Sequence, residues 1–194
     1  STNIFSRVNV SNTGYDAQGI LLGPSSFGNI FSQVVSSFAG DAGIALIGAT
    51  VNGNIFTQIT AVNNLWNAVY FGSGSMVNNA FISLVGANHD TGIGDDGANT
   101  TGSSNVFRDI YLAHNAAWAA NINGGSFAIR NGFFIYGDSS ACGGGSGGGN
   151  VCMSPTSSIG NLNASFIGST AFDSLNPDHS GGFLSTITGI SLSG

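Results

Sequence analysis

The sequence predicts an all-β protein wound as a parallel β-solenoid of about seven coils of roughly 25 residues each. Three observations predict it. Asn-x-Phe recurs as Asn3-Ile-Phe5, Asn29-Ile-Phe31, Asn54-Ile-Phe56, Asn79-Ala-Phe81, Asn105-Val-Phe107 and Asn131-Gly-Phe133, at intervals of 26, 25, 25, 26 and 26 residues. A second apolar run follows each of the first five, as Gly19-Ile-Leu-Leu22, Gly43-Ile-Ala-Leu-Ile47, Ala68-Val-Tyr-Phe71, Gly92-Ile93 and Ala119-Ala-Asn-Ile122. No unit carries a sustained helical pattern, and Gly, Ser, Asn and Asp part the short runs as turns do.

The first strand of each unit begins at the Asn, and its apolar register continues five places on at Val8, Val34, Ile59, Leu84, Ile110 and Tyr136. Stacking coils about 4.8 Å apart sets equivalent residues one above another. The column Phe5, Phe31, Phe56, Phe81, Phe107 and Phe133 is then an internal aromatic stack. The column Asn3, Asn29, Asn54, Asn79, Asn105 and Asn131 is an amide ladder, each side chain donating to one neighbour and accepting from the other. Counting a looser start at Asn161, seven coils make a rod of about 35 Å.

The expected organisation is one solenoid domain over 1–194, with a Gly-rich loop insertion at about 138–153 and a looser C-terminal coil and edge strand at 161–194. Thirty-one glycines serve corners that need φ > 0, while 42% hydrophobic residues and fourteen Phe argue for a packed core over disorder.

The motifs Asn-Ile-Phe-Ser-Gln-Val-Val at 29–35 and Asn-Ile-Phe-Thr-Gln-Ile-Thr at 54–60, with the Gly-Ile-hydrophobic runs, resemble the right-handed parallel β-helix proteins of the pectin-lyase-like kind, which include phage tailspike shafts and extracellular β-solenoids. The resemblance covers 3–136 clearly and 161–194 loosely. It implies a right-handed coil and leaves function open, because lyases, hydrolases, adhesins and shafts share the fold.

Only 6% of residues are charged: there is no Lys or Glu, and three Arg stand against nine Asp, for a net charge of −6. Arg7, Arg108 and Arg130 are scattered, which excludes a phosphate-neutralising nucleic-acid surface. No apolar run is long enough for a transmembrane helix, so membrane insertion is not expected. Nothing at Ser1 reads as a leader, which fits a processed chain or a piece of a longer one.

Cys142 and Cys152 bracket a Gly-rich segment. A disulfide closing about ten residues would constrain that loop, and two unpaired thiols in adjacent coils is the competing reading. A disulfide would place the chain outside the cytosol, at a cell surface or virion.

The densest polar cluster is Asn88-His-Asp-Thr-Gly-Ile-Gly-Asp-Asp-Gly97, carrying His89, Asp90, Asp95 and Asp96. Three readings stand: turn chemistry at Asp-Asp-Gly; a Ca²⁺ site using Asp90, Asp95, Asp96 and carbonyl oxygens, the one cofactor expected if any; and glycan hydrolysis by paired carboxylates. The resemblance weighs against the last, since the Gly-His-Gly and Arg-x-Lys elements of polygalacturonase-like members are missing. Trp66, Tyr70, Tyr111, His114 and Trp118 are candidates for an aromatic surface that stacks sugars, with burial in the solenoid as the alternative.

A solenoid exposes unpaired strand groups at each end, and a weakly charged surface gives little protection against association. The expected partner is therefore the chain itself, as a homotrimer or an axial stack, with a surface polysaccharide as a second. Three functions follow: a non-catalytic virion or surface protein of the tailspike or fibre kind that contacts host glycans, a filament subunit, or a polysaccharide-degrading hydrolase or lyase.

Overall fold

A computed structural model describes residues 2–95, 100–113, 115, 118–122, 127–137, 151–153, 158–160, 163–166, 186–188 and 191–193. Among these there are eighteen strands and no helix. In chain order they are β1 (Ile4–Ser11), β2 (Ile20–Leu22), β3 (Ser26–Phe27), β4 (Ile30–Ser37), β5 (Ile44–Asn52) and β6 (Ile55–Val62). Next come β7 (Asn67–Val77), β8 (Ala80–Ala87), β9 (Thr91–Asp95), β10 (Thr100–Ser103), β11 (Asn105–Ala113) and β12 (Trp118–Ile122). The last six are β13 (Phe127–Gly137), β14 (Val151–Met153), β15 (Ser158–Gly160), β16 (Asn163–Phe166), β17 (Thr186–Thr188) and β18 (Ser191–Ser193).

All pairings are parallel and fall into two sheets. The main sheet runs β1-β4-β6-β8-β11-β13-β15-β17, with β16 and β18 continuing the last two rungs; the second runs β14-β12-β9-β7-β5-β2. Successive strands of one sheet come from successive coils, which makes the chain a parallel β-solenoid. The main sheet has eight rungs, one more than the Asn starts counted in the sequence, because β17 and β18 add a rung beyond β15 and β16.

The Phe rings stack along the axis. Centroids of Phe5–Phe31, Phe31–Phe56, Phe56–Phe81 and Phe81–Phe107 lie 4.6, 4.6, 4.7 and 4.8 Å apart, with interplanar angles of 13° or less. Phe71, from the second sheet, meets the edges of Phe81 and Phe107 at 5.9 Å. The second sheet contributes the column Ile20, Ile44, Val69, Ile93 and Ala120 to the same core.

Within a main-sheet rung, Phe31, Val34 and Ser36 are all buried. Strict alternation would turn positions three apart to opposite faces. The parity is reset by one residue in the left-handed region at the same place in five rungs: Arg7, Gln33, Gln58, Ser83 and Asp109, with φ of 54 to 59°. Each is skipped in its ladder, as Gln33 is between the pairs Ser32↔Thr57 and Val34↔Ile59. The rung is thus two short segments joined at a corner, and both present apolar residues inward.

The amide ladder holds from Asn3 to Asn105. The Oδ1 of Asn54 accepts from both the backbone N–H and the Nδ2 of Asn29 at 2.9 Å, and the same double contact recurs at Asn29, Asn79 and Asn105. The Nδ2 groups of Asn54, Asn79 and Asn105 also donate to the carbonyls of Ser26, Val51 and Met76. These amides therefore close each corner as well as join coils. Before each stands another left-handed residue: Gly28, Gly53, Asn78 or Ser104.

Asn131 and Phe133 do not continue the columns. Phe107 pairs with Ile129 and Asn105 with Phe127, while Phe133 lies opposite Tyr111 and Ile110 opposite Gly132. Tyr136 accordingly falls outside the register of Ile110. Four residues separate β12 from β13, against nine, including β10, between β9 and β11. The shorter return starts the sixth rung four residues early, and the backbone register continues through Ile129, Ile159 and Ile187. Asn161 and Cys142 lie outside the described residues; Cys152 sits in β14 opposite Asn121.

Candidate functional site

A second corner carries a ladder of its own. The Asn64 Oδ1 accepts the Ala39 N–H, the His89 Nδ1 accepts the Asn64 N–H, and the Asn115 Oδ1 accepts the His89 N–H. The Asn64 Nδ2 donates to the Ser36 carbonyl. One coil on, the His89 Nε2 lies 2.9 Å from the Ala61 carbonyl, where only a donor fits. The Nδ1 also lies 3.2 Å from the Asn64 carbonyl; with the proton on Nε2, Nδ1 is left to accept the Asn64 N–H and His89 stands in for an Asn. Burial pushes its pKa below the ordinary imidazole value, against the opposing effect of the Ala61 and Asn64 backbone.

This placement separates the candidates drawn from 88–97. His89 faces the interior, Asp90 is half-buried with its carboxylate 3.5 Å from the Thr91 hydroxyl, and Asp95 ends β9 opposite Phe71. Asp96 lies outside the described residues. Among those described, no three His, Cys, Asp or Glu side chains converge as metal ligands.

The aromatic candidates divide as well. Tyr111 is on the main sheet in the column of Val85, whereas Trp66 and Tyr70 line a groove of about 320 Å³ beside the second sheet, together with Asp16, Asp41 and Asn67. The Trp118 backbone lies in register with Thr91, itself in register with Asn67, and His114 is outside the described residues.

The groove is built by the repeat. Asp16, Asp41 and Trp66 recur at intervals of 25 residues in the turns that lead into the second sheet. The Asp41 N–H donates to the Ala17 carbonyl, the Trp66 N–H to the Asp41 carbonyl and the Thr91 N–H to the Trp66 carbonyl, which stacks the turns. Two coil steps give the groove a length of about 10 Å. Close packing fixes its wall: a Cβ at Gly94 would meet the Asn67 amide at 2.7 Å, and one at Gly72 would approach both the Tyr70 ring and Ile47.

The chemistry is that of a shallow polar trough with an aromatic rim. Trp66 is 50% exposed and Tyr15, beside Asp16, is 83% exposed, with Phe38 and Leu65 also exposed nearby in sequence. The Asp41 Oδ2 accepts the Gln18 Nε2 at 2.7 Å, which orients that carboxylate; Asp16 is exposed. Among the described residues, no cationic side chain lines the groove. Sequence reading had singled out Trp66 and Tyr70 and missed Asp16, Asp41, Gln18 and Asn67. The 25-residue interval joining Asp16, Asp41 and Trp66 was the available signal.

No protein-family model matches the sequence, and no curated protein does. Among solved structures, the chain is similar to the Agl-KA catalytic domain, at 13% identity and a TM-score of 0.39 over 98% of this chain and 42% of that one. It is also similar to an endo-xylogalacturonan hydrolase from Aspergillus tubingensis, at 10% identity and a TM-score of 0.43 over 100% of this chain and 73% of that one. The chain thus spans less than half the length of the first. The parallel stacked coils themselves are the architecture to which the sequence resemblance pointed.

Proposed function

We propose that the chain is a non-catalytic, carbohydrate-binding surface solenoid, a shaft or receptor-binding segment of the tailspike or fibre kind that works outside the cell and meets host glycans along its side. The observation that carries this reading is the groove in which half-exposed Trp66 and partly buried Tyr70 stand beside Asp16, Asp41 and Asn67. Aromatic faces stack on the apolar faces of sugars, while carboxylate and amide groups accept and donate hydrogen bonds to hydroxyls. A rod of stacked coils holds these groups at fixed spacing, so little order has to be gained on binding.

Against catalysis stands the exposure of Asp16. A general acid for glycoside cleavage needs a desolvated carboxyl, as well as a second carboxylate across the scissile bond. The paired carboxylates in adjacent coils nevertheless favour polysaccharide hydrolysis as the second reading.

Both readings meet the same experiment. Surface polysaccharides and oligosaccharides are titrated against the wild type and Trp66→Ala by calorimetry, and reducing ends are assayed in parallel. Saturable binding weakened by Trp66→Ala without release of reducing ends is expected. Turnover abolished by Asp41→Asn would establish the enzyme reading instead, and no binding to any glycan would overturn both.

A further inference from the structure

We infer that the groove selects glycans carrying a free ammonium group, as in a deacetylated hexosamine, over uronic acids and over the same sugar in N-acetylated form. The inference rests on the carbohydrate-binding reading of this groove and specifies the class of sugar.

Four features of the site converge on a cation. Asp16 and Asp41 follow Tyr15 and Gly40, which pair as a parallel bridge between adjacent coils, so the two carboxylates lie about one coil step apart along the groove that both line. The Gln18 amide bonds the Oδ2 of Asp41 at 2.7 Å without neutralising it, since an amide has no charge. Trp66, half-exposed on the same wall, offers the ring face that attracts an ammonium group. The whole chain carries −6 with no Lys, and its described arginines, Arg7, Arg108 and Arg130, belong to main-sheet strands rather than to the groove lining.

A uronate entering this trough would set a third carboxylate beside two, with no cation to relieve it. An ammonium group would gain charge-assisted hydrogen bonds from both carboxylates, and acetylation removes that charge along with the attraction. The negative field of the chain also draws a cationic polymer toward it and repels an anionic one.

The test uses oligomers of β-1,4-linked glucosamine, their N-acetylated counterparts and oligogalacturonate of matched length. Affinities are measured by calorimetry at low and high salt. The expected result is binding of the glucosamine oligomer about tenfold or more tighter than the acetylated one, weakened by salt, with no measurable binding of the galacturonate. Asp41→Asn and Asp16→Asn should each remove most of that preference, read as the ratio of the two affinities; unchanged circular dichroism establishes that the variants are folded. Equal affinity for the amine and acetylated oligomers, or tighter binding of the galacturonate, overturns the inference and leaves carbohydrate binding standing. Failure of all three and of neutral polysaccharides to bind overturns both.

Discussion

His89 takes the place of an asparagine beneath Asn64: its Nδ1 accepts the Asn64 backbone N–H at 3.2 Å, as the Asn64 Oδ1 accepts the Ala39 N–H at 2.9 Å one coil earlier. A ring nitrogen pair does the work of an amide, with Nδ1 in the role of the oxygen and Nε2–H in that of the NH2 group.

The substitution carries a proton-dependent liability that asparagine lacks. Protonating Nδ1 would cost the Asn64 N–H its acceptor and set a charge in a buried site, with the Asn64 carbonyl at 3.2 Å as the remaining partner. Because burial lowers the folded pKa, the unfolded chain binds more protons below about pH 6.5. The stabilisation is therefore fully present above that pH and is lost as pH falls toward the folded value. His89→Asn should fold normally and flatten this part of the stability curve, measured as denaturation midpoints from pH 8 to 4. His89→Ala should cost about 1–3 kcal/mol for each backbone group it strands, the Asn64 N–H and the Ala61 carbonyl.

Position along the ladder should grade the cost of losing an amide. Asn79→Ala removes the acceptor of the Asn54 N–H and the donor to the Val51 carbonyl, both at buried bonds, and should cost about 2–4 kcal/mol. Asn3→Ala, at an exposed outer rung, should cost less than about 1 kcal/mol, since Asn3 can still donate its backbone N–H to Asn29. Urea midpoints of the two variants measure the difference.

Ring stacking gives a parallel gradient. Phe56 is fully buried between Phe31 and Phe81, so Phe56→Ala should lower stability by about 3–5 kcal/mol. Phe5 is 42% exposed and stacks on one ring only among the described residues, so Phe5→Ala should cost clearly less, measured as the urea midpoints of the two variants.

At the corner of the rung, Gln58 is exposed with φ of 55°. Gln58→Gly should be neutral or stabilise by up to about 1 kcal/mol, because relief of the left-handed strain outweighs the added chain entropy. Gln58→Val should destabilise by about 1–2 kcal/mol, since branching at Cβ worsens that strain. Equilibrium unfolding of the pair distinguishes the corner from an ordinary exposed strand site, where Val would be favoured.

The columns of Phe and Asn were legible because identical side chains recur at one interval, and stacking like on like needs no knowledge of the coil's cross-section. The left-handed corner was hidden: Arg7, Gln33, Gln58, Ser83 and Asp109 share a conformation and, beyond the two glutamines, no side-chain type. Only the odd spacing between inward Phe31 and Val34 betrays it. At Asn131 and Phe133 the motif was present without its register, since the length of the return strand, not the local triplet, sets where a rung begins. His89 misled for a related reason. A histidine beside aspartates reads as chemistry in one dimension, and only its neighbours 25 and 26 residues away reveal the amide it replaces. The groove lay between these cases, periodic in Asp16, Asp41 and Trp66 yet mixed in residue type.

Since Gly53-Asn54 and Asn78-Asn79 are the same joint, excising residues 54–78 would splice Gly53 onto Asn79 and bring Phe31 to rest on Phe81. The rod would shorten by about 4.8 Å with its seams intact. Duplication of the same stretch would lengthen it by as much, so reach is a quantity this chain can alter in whole steps without inventing a new contact.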